Sequence, residues 1–83
     1  MKELVEYIVK ALVDKPEEVA VVETEGESIT ILEIRVAQED VGKVIGREGR
    51  IANAIRTVVK AAGAEHRKRV TVEILTKEGE RKQ

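Results

Sequence analysis

The sequence predicts an α+β fold, a two-layer sandwich in which helices cover one face of a three-stranded sheet. Two observations carry this prediction. Residues 4–13 and 51–62 repeat apolar side chains at the spacing of one helix face. Residues 19–24, 29–37 and 69–75 are short runs rich in β-branched side chains, which is typical of strands. The predicted order along the 83 residues is therefore α-β-β-α-α-β.

The first half of the chain is predicted to form a helix and a β-hairpin. The helix ends before Pro16, because proline disfavours helical backbone at the preceding residue. Its one aromatic residue, Tyr7, is expected to have a structural role. The hairpin turns at residues 25–28. The apolar pattern of its second strand changes phase between Ile31 and Leu32, which indicates either a β-bulge or a strand buried on both faces.

The second half is predicted to contain a short helix, a long helix and the last strand. Glu39 and Asp40 are placed to cap the short helix, where a carboxylate is favoured. Gly63 fits the C-terminal cap of the long helix. We expect a single domain over residues 1–76 and a polar tail over residues 77–83.

Charge is distributed unevenly along the chain, although the formal net charge is only −1. Residues 1–41 carry four basic and eleven acidic side chains, whereas residues 42–69 carry eight basic and two acidic ones. Such asymmetry suggests an anionic partner for one face, although the opposite charges can equally pair within the fold. There is no cysteine and no segment resembling a signal peptide or a membrane span, so we expect no disulfide, no membrane association and a cytoplasmic location.

A Gly-x-x-Gly turn between the two later helices is the strongest functional signal. Gly46 and Gly49 permit a tight turn and a close approach of another backbone. The turn is expected to present bare amide N–H groups at the start of the long helix, with Arg47 and Arg50 beside them. Amide donors and the helix dipole favour phosphate at such a terminus.

The sequence resembles the type II KH fold on the motif VGKVIGREGRI at residues 41–51, preceded by a helix and two strands. Together with IANAIRTVVKAA at residues 51–62, this is similar to the small stand-alone bacterial KH proteins of the KhpA (YlqC) family. The resemblance implies single-stranded RNA binding by a Gly-x-x-Gly loop that holds the phosphate backbone of about four nucleotides. It also implies a role as an RNA chaperone or post-transcriptional regulator linked to cell-envelope growth. The partners that it implies are a second copy of the chain or a larger multidomain KH protein of the Jag/EloR type.

The predicted RNA-binding residues lie in the glycine turn, around it, and in the variable loop between the long helix and the last strand. They are Lys43, Val44, Gly46, Arg47, Glu48, Gly49, Arg50, Ile51, Arg67 and Lys68. Lys43 can equally be a solvated surface charge. The same holds for Arg56, which is not among the predicted RNA-binding residues. Glu48 departs from the basic or small residue common at its position, and its carboxylate repels phosphate unless it points outward or pairs with an arginine.

Enzymatic functions fit the sequence poorly. The glycine spacing matches neither the dinucleotide nor the nucleoside triphosphate motif, and the single histidine, His66, has no partner residues that would make a triad or a zinc site. We therefore expect no catalysis, no cofactor and no metal. The competing interpretation is a protein–protein interaction or dimerisation module, or a factor in ribosome assembly, in which RNA contact is secondary.

Overall fold

The computed structural model describes residues 1–65 and 67–76 of the chain. Their elements are α1 (Lys2–Leu12), β1 (Ala20–Glu25), β2 (Ile29–Val36), α2 (Val41–Ile45), α3 (Arg50–Ala64) and β3 (Arg69–Thr76). A short 3-10 turn precedes each of β1, α2 and α3. This order confirms the predicted α+β class. The predicted polar tail at residues 77–83 and the predicted non-catalytic His66 lie outside the described residues.

The sheet has the order β1-β2-β3, with β1 antiparallel and β3 parallel to the central strand. Both pairings keep one register from end to end, so the β-bulge suggested for β2 is wrong. The strand alternates regularly because Thr30 takes an inward, buried position and Ile31 an outward, half-buried one. A polar residue in an apolar phase therefore produced the apparent shift in the sequence pattern.

The helices bury their apolar faces against one side of the sheet, and the layer between them is aliphatic. The fully buried side chains of this core come from every helix and from both β2 and β3. Among them are Val5, Val9, Leu32, Ile34, Val44, Val59 and Ile74. Burial of each such side chain contributes roughly 1.5–3 kcal/mol, so the fold is held together without an aromatic core.

A polar junction ties the end of α1 to the start of α2. Asp40 is only 1% exposed, and its carboxylate accepts the backbone N–H groups of Asp14 (3.1 Å) and Lys15 (3.0 Å). Lys43 Nζ lies 3.1 Å from Asp14 and 3.8 Å from Asp40, and Lys15 Nζ lies 2.8 Å from Glu39. Asp40 occupies the N-cap position of α2, as predicted, but among the described residues no carboxylate makes a capping hydrogen bond there, because Asp40 accepts from Asp14 and Lys15 instead. We call these five residues the α1–α2 junction.

Gly63 lies inside α3 and does not cap it, which corrects the sequence-based prediction. A Cβ atom on Gly63 would collide with Val70 Cγ2 and lie 3.1 Å from the carbonyl oxygen of Lys68, so this glycine lets β3 pass close to the helix. The turn after α3 is closed by N–H donation from Arg67 to Ala64 and from Lys68 to Gly63, both at 3.2 Å. These are the two bonds of a Schellman motif, and its left-handed residue is Arg67 (φ +58°).

Candidate nucleic-acid interface

The glycine loop, residues 46–49, has an unusual backbone. Gly46 (φ +78°), Glu48 (φ +56°) and Gly49 (φ +76°) all have positive φ. Glycine adopts this region freely, whereas a residue with a side chain does so at a cost of about 1–2 kcal/mol. The loop is therefore a fixed, tight turn between α2 and α3.

The two glycines of the loop meet different requirements. A Cβ atom on Gly46 would lie 2.6 Å from Ile51 Cγ1, so both its backbone angles and the packing of Ile51 require glycine. At Gly49 the nearest such atom is Asn53 Nδ2, at 3.9 Å. Gly46 is thus part of the internal packing, while the space beside Gly49 is open to a ligand.

The loop presents fewer bare amides than the sequence suggested. The N–H of Gly46 donates to Gly42 (2.8 Å), that of Gly49 to Gly46 (3.2 Å), and that of Arg50 to Arg47. Among the described residues, no side chain makes a capping hydrogen bond at the start of this turn, beside the amides of Arg47 and Glu48. Amides in the first turn of a helix commonly lack an internal acceptor, which makes these two the candidate donors for an anion.

The side chains of the loop differ in how far they are neutralised. Arg47 is exposed, and no carboxylate of the described residues lies within ion-pair distance of it. The Glu48 carboxylate instead lies 3.6 Å from the guanidinium of Arg50, in an exposed pair. Pairing with Arg50 is one of the two arrangements that reduce repulsion of phosphate by Glu48.

Two of the predicted contact residues support the loop from inside. Val44 is 0% exposed, so the structure corrects its predicted role from ligand contact to packing. Ile51 is half buried and lies over Gly46. Neither side chain lines the groove between α3 and β3.

The two predicted lysines, Lys43 and Lys68, already form ion pairs with carboxylates. Lys43 belongs to the α1–α2 junction, and its hydrogen bond and attraction to Asp14 raise its pKa above the ordinary value of 10.5. Lys68 Nζ lies 2.9 Å from Glu25 at the end of β1. The basic run at residues 67–69 therefore does not act as one patch, because its middle residue is directed towards an acidic strand.

A groove between α3 and the free edge of β3 holds two cations outside the predicted set, Arg56 and Lys60, together with Arg69 of the basic run at residues 67–69. It has a volume of about 370 Å³ and is lined by Arg56, Lys60, Arg69, Val70, Thr71 and Val72. We call it the α3–β3 groove. Its three cations lie within ion-pair distance of no carboxylate in residues 1–65 and 67–76.

The groove is connected to the glycine loop along one side of α3. Arg56 donates a hydrogen bond to Asn53 Oδ1 (3.2 Å), and Asn53 in turn lies next to Gly49. Lys60 follows Arg56 by four residues and so lies on the same helix face. The i, i+4 spacing was visible in the sequence, but without the position of β3 it could not be distinguished from a solvated face.

On the other side of α3, an apolar cleft separates it from α1. The α1–α3 cleft has a volume of about 270 Å³ and is lined by Ile8, Leu12, Arg50, Ile51, Ala54, Ile55 and Val58. Val58 is 41% exposed at its edge, and Tyr7 of α1 is 78% exposed rather than packed within the fold. Arg50, predicted to contact RNA, lines this cleft rather than the α3–β3 groove.

No cluster of three or more metal-ligating side chains occurs in the part of the chain that the structure describes. None of the described helices is long and apolar enough to cross a bilayer.

Comparison with known proteins identifies close relatives. The family model for the KH domain of KhpA and KhpB matches residues 2–74. The chain is 64% identical over 75 residues to RNA-binding protein KhpA of Clostridium perfringens, covering 90% of this chain and all of that protein. It is 61% identical, with the same coverage, to RNA-binding protein KhpA of Clostridium acetobutylicum. With RNA-binding protein KhpA of Borreliella burgdorferi it shares 60% identity over 88% of this chain and 89% of the relative. No solved structure matches the chain.

Proposed function

Because the chain belongs to the KhpA/KhpB KH-domain family, we propose that it binds single-stranded RNA without catalysing a reaction. One strand lies from the glycine loop along the α3–β3 groove. The observation that carries this proposal is the set of unpaired cations, Arg56, Lys60 and Arg69, beside a free strand edge. The names of the relatives support RNA as the polyanion.

Each part of the path has its own chemistry. At the loop, the amides of Arg47 and Glu48 and the Arg47 guanidinium hold a backbone phosphate. Along the groove, Arg56 and Lys60 neutralise the following phosphates, and the edge of β3 offers backbone groups to the bases. The groove lining contains no aromatic side chain, so base stacking contributes little and sequence preference is weak.

The experiment compares two double variants that remove the same charge. Arg56→Gln with Lys60→Gln changes the groove, whereas Lys2→Gln with Lys10→Gln removes two cations of α1. Binding of a short oligoribonucleotide is followed by fluorescence anisotropy over a range of salt concentrations. The groove variant is expected to bind about tenfold more weakly, as each exposed ion pair contributes up to ~1 kcal/mol. Its log–log salt slope should fall by about 1.4, at about 0.7 per phosphate.

The α1 variant is the matched control and is expected to bind like the unmodified chain. Equal weakening by both variants would show only a general effect of net charge and would contradict the groove. Arg47→Gln tests the loop separately, because Arg47 makes no ion pair within the described structure. It should lower the salt slope by about 0.7.

The wider role in our proposal is that of an RNA chaperone or post-transcriptional regulator linked to cell-envelope growth, as the family resemblance implies. Crosslinking in cells followed by sequencing of the bound RNA tests it. Enrichment of transcripts for envelope proteins is expected. Enrichment of ribosomal RNA alone would instead favour ribosome assembly.

A second candidate function is association with another KH protein through the α1–α3 cleft. Val58 leaves apolar surface exposed there, on the side of α3 away from the groove, and Tyr7 is a further exposed side chain of α1. A dimer formed there, with a second copy or with a larger KH protein of the Jag/EloR type, leaves the groove open and raises the effective concentration of RNA sites.

Val58→Asp tests this association by analytical ultracentrifugation. The control is Val22→Asp, because Val22 of β1 has nearly the same exposure, 42% against 41%. A dimer lost only in Val58→Asp is the expected result. A chain that is monomeric before substitution and captures no KH partner would contradict it.

A further inference from the structure

We propose that the RNA path continues beyond the α3–β3 groove into a second phosphate site formed by Arg67, Arg69 and Ser28. This inference rests on the proposed function and extends its footprint. The site is a cavity of about 500 Å³ between the β1–β2 turn and the α3–β3 loop, lined by Ser28, Ile29, Arg67 and Arg69. We call it the turn site.

Continuity with the groove is the first observation. Arg69 lines both the α3–β3 groove and the turn site, so a strand that leaves the groove past Arg69 enters the second cavity directly. β2 and β3 are parallel and start together, with Ile29 opposite Arg69, which places the β1–β2 turn at this end of the groove.

The frame of the turn site is fixed by backbone hydrogen bonds. The N–H of Arg69 donates to the carbonyl of Ser28 (3.1 Å), and the N–H of Gly26 donates to that of Ile29 (2.7 Å). Arg67 is held by the Schellman motif at the end of α3. Both arginines therefore project from backbone that is already ordered, which lowers the entropic cost of binding.

The identity and backbone of Arg67 are the second observation. It has a φ of +58°, where glycine is favoured by about 1–2 kcal/mol, yet the position carries a long cation. Neither Arg67 nor Arg69 lies within ion-pair distance of a carboxylate in the described ranges, in contrast to Lys68 between them. A strained position occupied by an unneutralised guanidinium indicates a ligand role.

The chemistry of the site suits a ribose-phosphate unit. Two guanidinium groups can grip one phosphate in the bidentate manner that lysine cannot provide. The Ser28 hydroxyl supplies a further donor, and Ile29, which is 37% exposed, offers an apolar surface to a sugar or base.

The test uses oligoribonucleotides of increasing length, from about four nucleotides, which one KH groove holds, to about ten. Arg67→Gly removes the cation and the backbone strain together, so it does not weaken binding by unfolding the chain. Its affinity should equal that of the unmodified chain for the shortest strand. For the longest it should be roughly two- to fivefold weaker, as expected for an exposed ion pair, with a salt slope smaller by about 0.7.

A second variant places a carboxylate in the site from the opposite side. Ser28→Asp should reproduce the length-dependent loss, whereas Ser28→Asn, of similar size but uncharged, should not. An Arg67→Gly effect that is absent, or equal at every length, overturns the turn site. If the Arg56→Gln, Lys60→Gln variant weakens binding at all lengths in the same assay, the groove stands and only this extension fails. If that variant has no effect, the proposed function itself fails.

Discussion

Basic side chains are paired with carboxylates at the α1–α2 junction, whereas in the α3–β3 groove they are not paired with any carboxylate of the described residues. At the junction, Lys15 and Lys43 are neutralised by carboxylates arranged around the buried Asp40. In the groove, Arg56 and Lys60 have no carboxylate partner among the residues described. The comparison separates basic residues that are paired within the fold from those that have no carboxylate partner among the described residues.

This difference changes how the basic half of the sequence is interpreted. A count of charges over residues 42–69 predicts one positive surface, but Lys43 and Lys68 belong to internal ion pairs. What remains is a narrower line of cations from Arg47 through Arg56 to Arg69. Whether a basic side chain has a carboxylate partner therefore says more about its role than the residue type does.

The largest expected effect is at the junction. Asp40→Ala removes the acceptor of two partly buried N–H groups and should lower the free energy of unfolding by about 2–4 kcal/mol. Urea denaturation measures this loss. Asp40→Asn, with a single carbonyl oxygen, should lose about half as much. The salt slope of RNA binding should stay unchanged in the folded protein, and a slope that falls as in the groove variant would remove the distinction between the two regions.

The glycine loop lies between these extremes, because Glu48 is both paired and strained. Glu48→Gly should raise the free energy of unfolding by about 1 kcal/mol, since it relieves the left-handed backbone. Glu48→Gln keeps that backbone and should leave stability nearly unchanged. Both variants remove the carboxylate and should tighten RNA binding by a similar factor. Tighter binding in Glu48→Gly alone would assign the effect to backbone strain instead of charge.

A smaller effect on the free energy of unfolding is expected when the two helical cations of the groove are removed. Arg56 and Lys60 are like charges at i, i+4, a spacing that destabilises a helix by roughly 0.2–0.5 kcal/mol. The double variant Arg56→Gln, Lys60→Gln should therefore unfold at slightly higher urea concentration, although it binds RNA more weakly. A clear loss of stability would show that the groove cations also hold the fold together.

The smallest effect concerns alkaline pH. The pKa of Lys15 is raised by its hydrogen bond and attraction to Glu39, and that of Lys43 by Asp14. A pKa that is higher in the folded state gives stability that is full below the ordinary value of 10.5 and is lost as pH rises through the folded value. The free energies of unfolding of the unmodified chain and of the double variant Lys15→Gln, Lys43→Gln should therefore converge at high pH. A constant difference across this range would contradict the contribution of these pairs.

The fold could be predicted from the sequence because its signals are local. Apolar periodicity defined α1 and α3, and paired glycines defined the loop between α2 and α3. Asp40 was misjudged because its partners lie about 25 residues earlier in the chain, beyond any capping pattern. Gly63 was misjudged because its requirement comes from Val70 on another element.

The proposed site could be predicted from the sequence at the glycine turn and its Arg47, but not at the groove cations Arg56 and Lys60. Gly46 and Gly49 follow from the turn itself, whereas Lys60 joins the proposed RNA path only when β3 is placed beside α3. The same placement explains Val44, which precedes the loop in sequence but points into the core. Packing between elements determines which side of a helix is accessible to a ligand, and this cannot be derived from the sequence of that helix alone.

The parallel pairing of β2 with β3 has a consequence for synthesis of the protein. One wall of the groove is β3, the last strand of the described chain, and its place is set by a strand made before both later helices. During translation the cations of α3 leave the ribosome before that wall can form. An incomplete chain therefore carries the cations of α3 without the groove, which forms only when β3 adds to the sheet.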